Sequence, residues 1–123
     1  MTTPLRLGLL STAKINNAIL GGAEKTSLVD VAAVGSRDAA KGEAYAREKG
    51  LARSHGSYEA LLADPEIDAV YISLPNGLHH EWSLKALAAG KHVLCEKPYT
   101  RHPAEVKEVF AAADGAGRVF MEA

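Results

Sequence analysis

The sequence predicts an α/β fold in which a mainly parallel, doubly wound sheet carries helices on both faces. Two observations support this prediction. Short apolar segments rich in leucine and β-branched residues alternate with segments of helical periodicity, which is typical of buried parallel strands joined by helical crossovers. Glycines follow the helical segments, and Pro103 stands where the last helix would begin. The 123 residues, 47% of them hydrophobic, are enough for one domain with its own core.

Six strands are predicted, with a helix after each strand but the last. One is a short segment at residues 52–55, and the others are the apolar runs Leu5–Leu10, Val29–Gly35, 67–74, His92–Cys95 and 119–121. The alternation predicts right-handed crossovers, and six strands are the number that a dinucleotide-binding Rossmann fold needs. We therefore expect residues 1–123 to form one dinucleotide-binding Rossmann domain.

Five helices fill the intervals between the strands. They are predicted from apolar residues at helical spacing, namely Ile15 and Ile19; Ala40 and Ala44; Tyr58, Leu61 and Leu62; Trp82, Ala86 and Ala89; and Val106, Val109, Phe110 and Ala113. Glycines that can end these helices stand at Gly21 and Gly22, Gly50, Gly90 and Gly115. Asp38 is the predicted cap of the second helix.

Composition argues against several classes of protein. The net charge of −1 and the scattered basic residues provide no field for nucleic acid. No stretch approaches the ~20 apolar residues of a membrane span, and the amino terminus has no signal-peptide pattern. The single cysteine, Cys95, lies in an apolar strand, where a small buried side chain is expected. These features predict a soluble, cytoplasmic protein. No metal site is predicted, because the histidines lack paired ligand spacing on one element.

The turn after the first strand contains the first candidate binding residues. A Rossmann protein carries Gly-x-Gly-x-x-Gly or Ala here, and serine and alanine replace the first two glycines. Both are small enough for backbone amides to approach a pyrophosphate at the positive end of the following helix. An ordinary strand-to-helix turn is the alternative. The candidate residues are Ser11, Thr12, Ala13, Lys14 and Ile15.

The end of the second strand indicates which dinucleotide is bound. An NAD-binding domain usually has an acid here, on the ribose hydroxyls. This chain has Ser36 and Arg37 instead, and the planar guanidinium of arginine can bind a phosphate. The pair predicts the 2′-phosphate of NADP rather than NAD. The alternative is an exposed loop arginine beside the helix-capping Asp38.

Two further strands end in polar residues that would share the carboxyl edge of the sheet. One strand leads into Glu96, Lys97 and Pro98, and the other leads into Pro75 and Asn76. Because open parallel α/β sheets bind ligands just outside this edge, Lys97 is expected to face the ligand. The alternative is a solvated turn in which proline stops the strand.

Together these motifs resemble the amino-terminal domain of the Gfo/Idh/MocA family of oxidoreductases. The resemblance covers the whole chain. Its motifs are the turn at residues 8–15, Ser36 with Arg37, Pro75-Asn76-x-x-His79 and Glu96-Lys97-Pro98. The Ser-x-Ala form of the turn is similar to that of members near the dihydrodiol and xylose dehydrogenases, which tend to use NADP.

The resemblance implies a reaction and roles for the strand-end residues. The reaction is hydride transfer between a nicotinamide and a hydroxyl-bearing carbon of a small sugar or cyclic polyol. Lys97 would lie near the nicotinamide and the substrate hydroxyl and would polarise the reacting oxygen, with Glu96 beside it to orient it. The residues implied to line the nicotinamide half of the site are Leu74, Pro75, Asn76 and His79.

Family members continue into a second α/β domain that contributes substrate contacts, and the resemblance implies that this domain is absent from the chain. We expect a fragment that binds the nicotinamide dinucleotide without turnover. We also expect it to self-associate through an apolar area at the carboxyl edge of the sheet. Two alternatives stay open: a free-standing nucleotide-binding or redox-sensing module, and a CoA-binding ligase domain of the same fold.

Overall fold

The computed structural model describes residues 3–123, which contain one six-stranded sheet. The strands are β1 (Leu5–Leu10), β2 (Val29–Gly35), β3 (Arg53–His55), β4 (Ala69–Ile72), β5 (His92–Cys95) and β6 (Phe120–Glu122). The helices are α1 (Asn16–Ala23), α2 (Ala39–Lys49), α3 (Tyr58–Leu62), α4 (His79–Ala88) and α5 (Pro103–Ala116), with a 3₁₀ turn at Asn76–Leu78. Within the described residues, no helix has both the length and the apolar character of a membrane span.

The strand order is β3-β2-β1-β4-β5-β6, and all neighbouring strands run parallel. From β1 the chain winds outward through β2 to β3, and from β4 it winds in the opposite direction through β5 to β6. The central strands β1 and β4 therefore lie side by side at the point where the winding reverses. This is the doubly wound sheet that the sequence predicts.

The helices pack on both faces of the sheet, as predicted. Leu7 and Leu9 of β1 belong to a core beneath α1 and α2, whereas Leu10 belongs to the core beneath α3, α4 and α5. Gly8 faces α3 at close range, since an added Cβ would lie 2.9 Å from a methyl carbon of Leu61. Glycine at this position therefore allows the helix to approach the sheet.

The predicted strands are present, with small differences at their ends. β4 covers Ala69–Ile72 rather than residues 67–74, and β6 covers Phe120–Glu122 rather than residues 119–121. β3, at Arg53–His55, confirms the short strand predicted at residues 52–55.

Two predicted helix ends are wrong. α1 continues past the glycine pair at residues 21–22, and α5 continues past Gly115. A glycine ends a helix where the backbone adopts a positive φ, which occurs at Gly50 (72°), Gly90 (81°) and Gly117 (64°). Gly50 and Gly90 therefore confirm their predicted role, whereas Gly117 ends α5 in place of Gly115.

The packed face of α2 also differs from the prediction. Ala40 and Ala44 are exposed, whereas Gly42 and Ala46 are buried against the sheet. Alanine and glycine recur so often along this helix that apolar spacing alone fits more than one face.

An apolar trough of about 560 Å³ is open on the sheet face that carries α1. Val119 and Met121 at its rim keep 55% and 58% of their surfaces exposed. The trough is lined by Leu5, Leu7, Ala18, Ile19, Gly22, Ala23, Thr26, Val29, Ala69, His92, Val93, Leu94, Val119 and Met121. This exposed apolar surface lies on a face of the sheet, and the apolar area expected at the carboxyl edge stays a prediction.

A buried carboxylate, Asp64, connects α3 to β3 and to the segment before β5. Its oxygens accept hydrogen bonds from Arg53 (2.9 and 3.0 Å) and from the amide of Glu66 (2.9 Å), and His55 Nε2 lies 3.0 Å away. The buried Lys91 donates to the Asp64 carbonyl at 2.7 Å. Burial acts to raise the pKa of Asp64, but the hydrogen bonds outweigh it and lower the pKa to about 2.

We predict that Asp64→Asn lowers the free energy of unfolding by about 1–2 kcal/mol at pH 7. The folded-state pKa is depressed, so the stabilisation is complete above the ordinary pKa near 3.8 and is lost as the pH falls through about 2. Urea unfolding from pH 7 to pH 2 measures this. The two curves should converge at the acid end, and a constant difference would contradict the prediction.

Candidate functional site

A cleft of about 520 Å³ opens at the carboxyl ends of β1, β2 and β4, where the winding of the sheet reverses. We call it the switch-point cleft. Its walls come from the turn after β1, the β2–α2 loop, the start of α3 and the segment after β4. The lining residues are Ser11, Thr12, Ala13, Ser36, Arg37, Asp38, Lys41, Tyr58, Ser73, Leu74 and Pro75.

Ser11 forms the tight turn at the floor of this cleft. Its φ of 121° lies in the region that favours glycine, which explains why a glycine is usual at this point. A non-glycine residue there costs about 1–3 kcal/mol of backbone strain. The serine hydroxyl makes contacts that glycine cannot, because Oγ accepts from the Ala13 amide at 3.2 Å and lies 2.7 Å from Ser73 Oγ. These contacts offset part of the strain.

Asn16 completes this network, and the sequence analysis missed it. The side chain is fully buried, its Nδ2 donates to the Ser11 carbonyl at 2.9 Å, and its Oδ1 accepts from Ser73 Oγ at 2.7 Å. Asn16 stands where the last glycine or alanine of Gly-x-Gly-x-x-Gly would be. The sequence contained a signal for this role, because a polar residue at that helix–sheet contact needs a hydrogen-bond partner.

Three backbone amides above this network can bind an anion. The N–H groups of Thr12, Lys14 and Ile15 have no hydrogen-bond partner among the described residues. They stand at or just before the amino terminus of α1, where the helix dipole favours negative charge. The Lys14 and Ile15 side chains themselves point into solvent and do not line the cleft. An ordinary strand-to-helix turn does not require free amides beside small side chains, but a pyrophosphate site does. These features therefore favour a pyrophosphate site over an ordinary turn.

The β2–α2 loop and the first turn of α2 bring two cations to the other wall of the cleft. Arg37 is exposed there, and Ser36 is buried, with its Oγ accepting from the Asp38 amide at 3.2 Å. Asp38 caps α2 as predicted, since its carboxylate accepts from the Lys41 amide at 3.1 Å. The Lys41 side chain lines the cleft as well, and the sequence analysis missed it. Its position four residues after Arg37, one helical turn away, was the available signal.

Tyr58 and Cys95 occupy the positions that the sequence analysis gave them. Tyr58 is largely buried and packs edge-on against Trp82, with ring centroids 5.2 Å apart, while part of its surface reaches the switch-point cleft. Cys95 is fully buried, and desolvation raises the pKa of its thiol to about 12. The thiol therefore stays protonated and packs as an apolar group.

Lys97 follows β5 in an exposed loop and does not line the switch-point cleft. No described carboxylate pairs with it. The Glu96 carboxylate accepts a hydrogen bond from the Tyr71 hydroxyl, and orientation of Lys97 by Glu96 stays a prediction. Burial and this hydrogen bond raise the pKa of Tyr71, so the phenol keeps its proton and anchors the start of the loop.

A second cleft, of about 430 Å³, lies beside this loop, and we call it the loop cleft. Asn76 and Pro98 both line it, whereas Leu74 and Pro75 line the switch-point cleft. The residues that line the loop cleft are Asn76, Gly77, His80, Pro98, Tyr99, Thr100, Arg101, His102 and Glu105.

His79 lines neither cleft. Its side chain is 1% exposed and lies beneath the two loops, with Nε2 2.8 Å from the Leu74 carbonyl and Nδ1 2.9 Å from the Pro98 carbonyl. Both ring nitrogens of His79 thus contact main-chain carbonyls in this structure, and direct lining of the cofactor site by His79 stays a prediction. Within the described residues, no group of three or more histidine, cysteine, aspartate or glutamate side chains is arranged to bind a metal ion.

The family model Gfo/Idh/MocA, described as an oxidoreductase family with an NAD-binding Rossmann fold, matches residues 8–123. D-xylose 1-dehydrogenase (NADP(+)) 2 of Haloferax volcanii is 47% identical over 119 residues, which are 97% of this chain and 37% of that protein. The trans-1,2-dihydrobenzene-1,2-diol dehydrogenase of Xenopus laevis is 37% identical over 118 residues, 94% of this chain and 36% of that protein.

A solved structure has the same fold. It is a 3-ketoreductase from Actinomadura kijaniata in complex with NADP and TDP-benzene, with a TM-score of 0.89 and 38% identity over 97% of this chain and 37% of the other. The chain thus spans little more than a third of the length of the relatives it matches.

We predict that Asn16→Leu lowers the free energy of unfolding by about 1–3 kcal/mol, because it leaves the Ser11 carbonyl and the Ser73 hydroxyl without a buried partner. Asn17→Leu, at the exposed neighbouring position, is the matched control and should stay within about 0.5 kcal/mol of the parent. Urea unfolding measures both. Equal effects of the two substitutions would show that the buried network does not stabilise the turn.

Proposed function

This chain belongs to the Gfo/Idh/MocA family of oxidoreductases, and we propose that it is the NADP-binding domain of an enzyme that transfers a hydride. One observation carries the proposal. The switch-point cleft combines free backbone amides at a helix amino terminus with two cations, Arg37 after β2 and Lys41 in the first turn of α2, which suits a dinucleotide bearing an extra phosphate. The family match argues against the alternative of a CoA-binding ligase domain.

In this proposal, different residues of the cleft bind different parts of the dinucleotide. The amides of Thr12, Lys14 and Ile15 bind the pyrophosphate over the Ser11 turn. Arg37 and Lys41 bind the 2′-phosphate, because guanidinium and ammonium groups are the usual protein partners of phosphate. The remaining adenosine contacts come from Ala13, Ser36 and Tyr58.

The nicotinamide half lies toward the β4 and β5 loops. Leu74, Pro75 and Asn76 would form its wall, and Lys97, in the exposed loop after β5, would stabilise charge on the substrate oxygen. When bound, the nicotinamide supplies the hydride acceptor or donor. Glu96 contributes indirectly, since its hydrogen bond from Tyr71 fixes the backbone from which Lys97 projects.

The relatives support NADP as cofactor and a sugar or cyclic polyol as substrate. The Haloferax protein is named for D-xylose and NADP(+), the Xenopus protein for a cyclic diol, and the Actinomadura ketoreductase was solved with NADP. These relatives are longer than this chain. We propose that turnover requires a second domain, which corresponds to the additional length of the relatives. A free-standing binding module remains the alternative, and the cytoplasmic location stays a prediction from the sequence.

We predict that the parent binds NADP at least tenfold more tightly than NAD, and that Arg37→Ala and Lys41→Ala each remove most of that difference by weakening NADP alone. A charge-assisted hydrogen bond lost from the phosphate corresponds to about tenfold or more in affinity. Isothermal titration calorimetry of each variant with both dinucleotides measures this. Arg47→Ala, an exposed cation at the far end of α2, is the matched control and should leave both affinities unchanged.

Equal affinities of the parent for NADP and NAD would contradict the 2′-phosphate assignment. Absence of binding to either dinucleotide would contradict the proposed function itself.

We also propose that this chain self-associates, through the apolar trough rather than the carboxyl edge. An open apolar concavity with exposed valine and methionine at its rim is the kind of patch that drives association. Met121→Lys should therefore shift sedimentation velocity profiles toward the monomer. Val106→Lys, which places the same charge on the outer surface of α5, should not. A parent that stays monomeric at millimolar concentration would overturn this proposal.

A further inference from the structure

The buried ring of His79 joins two loops that belong to different strands. Its Nε2 contacts the Leu74 carbonyl just after β4, and its Nδ1 contacts the Pro98 carbonyl just after β5. Carbonyl oxygens only accept hydrogen bonds, so the ring acts as donor. A neutral imidazole donates to one carbonyl at a time, and a doubly protonated ring donates to both.

We propose that His79 is a positioning residue that sets the distance between the Leu74–Asn76 wall and the Lys97 loop, and thereby the shape of the nicotinamide end of the site. The inference rests on the proposed function. His79 is the first residue of α4, so the rigid helix fixes the ring from below. Pro98 immediately follows Lys97, so a contact to its carbonyl constrains the backbone from which the lysine projects.

Other contacts hold the Lys97 loop to the protein without reaching the β4 loop. The Tyr71 hydroxyl donates to Glu96, the Glu122 carboxylate accepts from the Tyr99 amide at 2.7 Å, and the Tyr99 hydroxyl lies 2.5 Å from His80 Nδ1. These contacts tie the loop to β4, β6 and α4. His79 differs from them because its two contacts span the gap between the two loops.

The test compares two ligands that share their adenosine half. NADP needs both halves of the site, whereas adenosine 2′,5′-bisphosphate carries the 2′-phosphate but no nicotinamide. We expect His79→Gln to weaken NADP about three- to tenfold, as loss of one hydrogen bond would, and to leave the bisphosphate affinity unchanged. His79→Leu, which loses both contacts, should weaken NADP further. Calorimetric titration of the intact parent and of each variant with both ligands supplies these affinities.

The matched control is His92→Gln. His92 Nδ1 accepts from the Val119 amide at 3.0 Å, so this substitution also removes an imidazole contact to the main chain, but at the opposite end of β5. It should leave both ligand affinities unchanged. Should His79→Leu not fold, His79→Gln carries the test against this control.

The outcomes separate this inference from the proposed function. If the parent binds both ligands and His79→Gln weakens the affinity for both equally, His79 stabilises the fold generally. The positioning role would then be overturned. An unchanged NADP affinity in His79→Gln would also overturn it. If the parent binds neither ligand, the proposed function is wrong and this inference falls with it.

Discussion

The hydroxyl of Ser73, one residue beyond β4, makes the hydrogen bonds on which the rest of the cleft depends. It donates to Asn16 Oδ1 at 2.7 Å and lies 2.7 Å from Ser11 Oγ, so it connects the two central strands to the start of α1. Each member of this chain finds a partner, and Asn16 returns to the main chain at the Ser11 carbonyl. A satisfied, partly buried network of this kind is rigid. It holds the turn in a backbone conformation that serine otherwise avoids, and it leaves the neighbouring amides free for a ligand.

The architecture could be predicted from the sequence because buried parallel strands leave a simple signature. Apolar runs located the five other strands, the short β3 was predicted as a weak segment without such a run, and the alternation with helices indicated the doubly wound order. The ends of the helices could be predicted less well from the sequence. Gly115 lies inside α5, whereas Gly117 ends it. A helix ends at the glycine whose φ is positive, and the sequence does not show which of two nearby glycines adopts a positive φ. The packed face of α2 was ambiguous for a similar reason, since its small residues fit more than one register.

The candidate site could be predicted as a set of loops, but not as a set of side-chain directions. The turn after β1 and the Arg37 loop lie at one cleft, because parallel strands end at a common edge. Lys41 was missed because it lies in the first turn of α2, beyond the recognised Ser36-Arg37 pair. Asn16 was missed because it directly follows the recognised turn, at a position where the usual pattern has glycine or alanine. Glu96 and His79 were recognised, but their contacts are with Tyr71 and with main-chain carbonyls. Which way a side chain turns depends on neighbours distant in sequence, and spacing within a motif carries no information about them.

The central place of β1 has a consequence for how the chain folds. Leu7 pairs with Val31 on one side and with Ala69 on the other, so the middle of the sheet joins segments 62 residues apart. Closing so long a loop costs entropy before the strand contacts compensate for it, which slows folding of such topologies. During synthesis the first strand emerges early, can pair with β2, and must wait with its other edge unpaired until β4 has been made. The order of assembly is therefore imposed by the same reversal of winding that creates the cleft.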